Sequence, residues 1–215
     1  MTESVKRPSL EKCPFVLVVE GYSDLLFFAE AFEFLGLHGQ VFIKEFGGKH
    51  RLKSNIENFL TPELLKGKVA VAVILDADTL EGGEIQSLSH LLQRITGREL
   101  EHGVWWNGQS HQGEPKLGFF VVPNGKQTGE IETLVWSAWA NDPQNEGPKQ
   151  CIEDFLCCMV EKGHTAKSLD KGKIGALLSV KNDEDPRLGP GARANVFDFN
   201  RPEFESVLKF LRGFA

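Results

Sequence analysis

The sequence predicts an α/β fold: a parallel sheet of about four strands with helices on both faces. Three observations carry this. Four short runs rich in apolar residues punctuate the first 123 residues, each is followed by a turn and a stretch with helical spacing of apolar residues, and the first run is continuous rather than alternating. A strand that is apolar at every position must be covered on both sides, and helical crossovers between parallel strands supply that cover.

The elements follow in order. "PFVLVVE" (14–20) reads as the first strand, and Gly21 breaks it. "SDLLFFAEAFEFLGL" then places Leu25, Phe28, Ala29, Phe32 and Leu35 on one helical stripe, with Ser23 as the expected N-cap and Asp24 in the first turn, where the helix dipole favours an anion. "QVFIKEF" (40–46) is a second strand, followed by "GGKHRLKSNIENFL" as turn and helix. "KVAVAVILDAD" is the third, and Ile85, Leu88, Leu91, Leu92 and Ile95 form the buried stripe of the helix after it. "KLGFFVVP" (116–123) is the fourth, and "GEIETLVWSAW" begins another helix. The remaining segments, "CIEDFLCCMV", "KGKIGALLSV" and "EFESVLKFLRGF", are helical in pattern, with Phe204, Val207, Leu208 and Leu211 forming a stripe expected to dock on the core or to make a dimer contact.

A chain of 215 residues, 41% hydrophobic and 25% charged, can bury a core without metal or disulfide staples. No linker or repeat divides it, so residues 1–140 are expected to form the α/β core and 141–215 a helical extension of the same domain, with "ANDPQNEGPKQ" (140–150) the loosest stretch. The net charge of −6 excludes a protein that coats nucleic acid through bulk positive charge, though not one with a local basic groove. Cys13, Cys151, Cys157 and Cys158 lack zinc-site spacing and read as reduced, mostly buried thiols. No apolar leader and no membrane-length apolar run is present, which points to the cytoplasm and no membrane.

The acidic residues carry the chemistry. In an open α/β sheet, ligands bind beyond the carboxyl ends of the strands. Glu20 ends the first strand, Asp76 and Asp78 end the third, and Glu132 opens the helix after the fourth. Asp24 lies one helical turn beyond Glu20, and strand periodicity would place Asp76 and Asp78 on one face. Five converging carboxylates require protonation or a cation, and an all-oxygen donor set favours magnesium or manganese over zinc. Taken singly, each acidic residue is more simply a turn former or helix cap.

The combination of "VEGYSD", the "GG" after the second strand and "ILDAD" resembles the Toprim domain of topoisomerases, primases and several nucleases. "GFFVVPNGKQTGEIETL" and "DKGKIGALLSV" resemble the later part of small stand-alone Toprim proteins, related to the Toprim portion of OLD-type nucleases. That resemblance implies Glu20 as general acid/base or metal ligand, with Asp24, Asp76, Asp78 and Glu132 completing a metal cluster. It also implies a lysine, Lys171 or its neighbour Lys173, that stabilises charge near a scissile phosphate; Glu130 competes with Glu132. The only tyrosine, Tyr22, sits in the turn after the first strand, and neither a primase zinc module nor an ATP-binding G-x-x-x-x-G-K-[ST] loop is present. A metal-dependent nuclease acting on RNA or DNA, in phage defence or nucleic-acid processing, is the expectation. The competing one is a noncatalytic nucleic-acid- or nucleotide-binding module that needs a partner protein.

Two further stretches bear on substrate. "GGKHRLK" (47–53) sets Lys49, Arg51 and Lys53, with His50, at a helix start, either to hold a phosphate backbone or as a solvated surface. "EHGVWWNGQSHQGEP" (101–115) carries Trp105 and Trp106, which either stack on unpaired bases or fasten the loop, and His111, expected as an exposed loop histidine.

Overall fold

A computed structural model describes residues 8–78, 83–107, 114–125, 128–166 and 168–215. His111 lies outside them. Four parallel strands, β1 (Phe15–Val19), β2 (Val41–Glu45), β3 (Ala70–Asp76) and β4 (Lys116–Val122), form one sheet in the order β2-β1-β3-β4. Phe15 pairs with Val41 on one side and Ala70 on the other, and Ala70 pairs in turn with Lys116. The chain therefore moves outward from β1 in both directions.

The helices are α1 (Tyr22–Phe34), α2 (Lys49–Phe59), α3 (Pro62–Lys66), α4 (Gly83–Thr96), α5 (Ile131–Ala140), α6 (Glu146–Glu161), α7 (Leu169–Lys181), α8 (Leu188–Arg193) and α9 (Glu205–Arg212). Alternate strand residues feed two separate cores, as period-2 side chains must. Phe15, Leu17, Val19, Ala70, Ala72 and Ile74 pack with α1, α5 and the C-terminal helices. Val16, Val18, Val71, Val73 and Leu75 pack with Leu52 and Ile56 of α2 and Leu88 and Leu92 of α4. The fold is α/β, a four-stranded parallel sheet flanked by helices.

The C-terminal helices belong to the first of these cores: Ile174, Leu178, Phe204, Leu208 and Leu211 share one cluster with β1 and β3. Trp105 stacks on Phe210 with ring centroids 5.0 Å apart and donates its indole N–H to the Phe210 carbonyl at 2.8 Å. The aromatic loop thus clamps α9 to the sheet.

Several local expectations are revised. The first helix starts at Tyr22, not after Ser23; Gly21 is its N-cap, and the Gly21 N–H donates to Asp24 Oδ2 at 2.9 Å. Residues 140–150 are structured, with Asp142 capping a 3-10 turn, Pro143–Asn145, that leads into α6. Only Cys13 is buried, because α6 packs one face on α7 and leaves Cys151, Cys157 and Cys158 exposed. No helix among the described residues is long and apolar enough to cross a membrane.

Candidate functional site

The carboxyl ends of β1 and β3 are tied together by an acidic side chain. Glu20 follows β1 directly, and its Oε1 accepts the Asp76 backbone N–H at 2.9 Å. Asp76 ends β3 and turns its Oδ1 to the Ile131 N–H, 3.0 Å away at the first turn of α5. The carboxylate thereby satisfies an N–H that the helix itself leaves without a partner. Glu132, one residue further on, is buried in the same turn.

Asp78 departs from the expected strand periodicity. β3 ends at Asp76, and Asp78 adopts φ 52°, in the left-handed region that aspartate tolerates better than most residues. Reciprocal backbone bonds of 2.8 and 2.7 Å to Gly129 fix it there, and Gly129 itself has φ 133°, where a side chain would be strained. The two aspartates therefore engage different partners: Asp76 meets α5, whereas Asp78 Oδ2 accepts from Lys49 Nζ at 2.6 Å.

Two lysines divide the acidic rim. Lys49 Nζ donates to the Asp76 carbonyl at 2.6 Å and lies 3.6 Å from Glu20 and 3.9 Å from Glu84. Lys171 bonds Glu130, which also accepts from Ser168, and stands 3.9 Å from Glu132. Lys173 is elsewhere, paired with Asp170 at 3.0 Å and lying over the Trp136 ring. Glu84 is a member of this rim that sequence reasoning missed, since a glutamate in the first turn of a helix is ordinarily read as a dipole partner.

Burial dominates the electrostatics. It pushes Glu20 up to about 7, against a partly offsetting pull from Lys49 and the Asp76 N–H, with Asp24 and Asp78 adding to the rise. Glu132 also reaches about 7, mainly by burial, with Lys171 opposing and Glu130 and Asp24 contributing. Asp24 is raised by burial, opposed by its Gly21 hydrogen bond and by Lys171 and reinforced by Glu130. Asp76 is raised well above the usual carboxylate range, first by burial and then by Asp24, Glu20 and Glu132. Burial works against the charge on Lys49, yet Asp78, Glu20 and Glu84 together hold the ammonium above its ordinary value.

Asp76 thus lies within electrostatic reach of Glu20, Asp24 and Glu132, and Asp78 joins them through Glu20. Among the described residues, no three potential ligands form a ready-made metal-binding group. The donor chemistry nonetheless suits a hard divalent cation, because all donors are oxygens.

The basic stretch is less open than its composition suggests. Gly47 and Gly48, at φ 74° and 121°, turn the chain so that Lys49 begins α2 with its ammonium inside the rim. Lys53 pairs with Glu84 at 2.8 Å. Arg51 is exposed and makes no ion pair with the described residues.

No curated protein and no solved structure matches the chain. Residues 14–215 match the model of a family described as a protein of unknown function (DUF3226), and the chain belongs to that family.

Proposed function

We propose that this chain is a magnesium- or manganese-dependent phosphodiester hydrolase, a nuclease of the Toprim type acting on RNA or DNA in the cytoplasm. The observation that carries the reading is the position of Asp76. It is a half-buried carboxyl at the end of β3, one of the two inner strands, within electrostatic reach of Glu20 after β1, Asp24 in α1 and Glu132 in α5. Crowding partly buried carboxyls at one edge costs the folded chain free energy, which a bound cation would offset.

Glu20, Asp24, Asp76, Asp78 and Glu132 would hold the ion or ions. When bound, a divalent cation neutralises charge on a phosphate oxygen and lowers the pKa of an attacking water. The remaining work falls to the chain. Glu20, beside the Asp76 N–H and Lys49, would take and return the proton where it is not itself a ligand. Lys171, 52% exposed at the outer edge of the rim, presents positive charge where a phosphoryl group gains negative charge. Arg51 and the start of α2 offer a backbone-phosphate contact, with Lys49 and Lys53 behind them.

The test is incubation of the pure protein with labelled RNA, single-stranded DNA and duplex DNA in magnesium, manganese or chelator. Cleavage that requires the metal and is lost in Asp76→Asn and Asp78→Asn is expected; undiminished cleavage by both variants overturns the assignment. The second reading, a nucleic-acid-binding module that acts only with a partner protein or as a homodimer, draws on the neutralisation of the rim by Lys49 and Lys171. Metal-dependent binding without turnover would select it.

A further inference from the structure

We propose that Lys49 is a tethered counter-ion that holds one cation position of the acidic rim closed, and that an entering divalent ion displaces its ammonium onto Glu84. The inference rests on the metal-dependent reading above and concerns how that site is regulated.

The surroundings of Lys49 Nζ are those of a bound cation. Four oxygens from separate parts of the chain surround it: the Asp76 carbonyl and Asp78 Oδ2, each at 2.6 Å, Glu20 Oε1 at 3.6 Å and Glu84 Oε1 at 3.9 Å. These are the hard, mixed carbonyl and carboxylate donors that a divalent ion selects. The ammonium is the only positive group bridging Glu20 and Asp78 among the described residues, and its side chain is 18% exposed.

The root of the lysine is fixed, and only its end would have to move to vacate the position. Lys49 is the first residue of α2, and the preceding Gly48 N–H is held 2.8 Å from the Glu20 carbonyl oxygen. The four-carbon stem can redirect the ammonium without moving that backbone. Glu84 provides the second berth. It is anchored by Lys53 through Oε2 at 2.8 Å, which leaves Oε1 facing Lys49 beyond hydrogen-bond distance. A shift of about 1 Å would close that gap. Lys171 does not share the arrangement, because it is half exposed and faces Glu130 and Glu132 on the opposite side of the rim.

The experiment measures manganese binding directly, from the free-ion paramagnetic resonance signal, in the wild-type chain and in Lys49→Met, which keeps the stem and removes the charge. Affinity at least tenfold tighter in Lys49→Met is expected. Equal or weaker affinity in a folded variant overturns the switch and leaves the metal reading standing; no manganese binding by either chain removes the metal reading and this inference with it. A wild-type measurement covers the case in which the variant does not fold. Acylation of Lys49 amine, read by mass spectrometry, should rise several-fold on adding manganese, while Lys68, bonded to the Leu10 and Cys13 carbonyls, stays constant. Unchanged Lys49 labelling with manganese bound overturns the proposal.

Discussion

Asp76 shows how one residue ties several segments together. Its carboxyl caps α5 through Ile131, its N–H holds Glu20, and its carbonyl holds Lys49. Asparagine reproduces the acceptor but not the ionisable group, whose charged form burial disfavours. Asp76→Asn should therefore fold and melt at the wild-type temperature or a few degrees above it while losing divalent-ion binding; thermal melts with and without manganese check both halves. At the surface, Arg51→Ala should weaken nucleic-acid binding and make the slope of log affinity against log salt shallower by about 1, the signature of one lost phosphate contact. An unchanged slope would assign Arg51 to solvated surface. Glu20, Asp24, Asp76 and Glu132 were legible in the sequence because strand ends and first helical turns face the ligand edge of such a sheet. Glu84, the inward turn of Lys49 and the divergence of Asp78 were not. They depend on a left-handed residue and two glycine-dependent turns that no periodicity records.

At the level of elements, apolar spacing located the strands and most helices, since each buries a complete face. It failed where packing is one-sided: α6 has no fully buried residue, so its cysteines face solvent, contrary to their usual burial. Close approach matters more at α8. A Cβ on Gly189 would stand 2.2 Å from the Leu26 Cβ of α1, so the two helices meet only because that side chain is missing. Gly189→Ala should cost roughly 1–3 kcal/mol, read as a lower urea midpoint. The clamp of Trp105 on α9 gives a second measurement. Phe210→Ala removes the stacked partner from a buried site and should destabilise by about 3–5 kcal/mol. Wild-type stability in that variant would mean that α9 is not held by this contact.

For the whole molecule, the acidic rim links stability to pH and, on the proposed function, to cations. Glu20 and Glu132 bind their protons more tightly in the folded chain than in the unfolded one, at about 7 against a usual 4.5. The stability they confer is thus fully present below about pH 4.5 and is lost as pH rises through about 7. Without divalent ions, the melting temperature should fall between about pH 5 and pH 8 by roughly 10 °C or more, corresponding to about 2–3 kcal/mol for each of the two groups. Saturating magnesium should reverse that fall, because a ligand of the folded state stabilises it. Strand order was not legible, because alternation of strand and helix implies parallel pairing but does not say that β1 lies between β2 and β3. That placement brings Glu20 beside Asp76, and the central proposal rests on it: that the carboxylates at this edge bind a divalent ion. Its most direct test is anomalous diffraction from crystals grown with manganese. A peak bonded to oxygens of Asp76 and its acidic neighbours is predicted; an empty rim at saturating manganese, or a peak bound only elsewhere on the molecule, would contradict it.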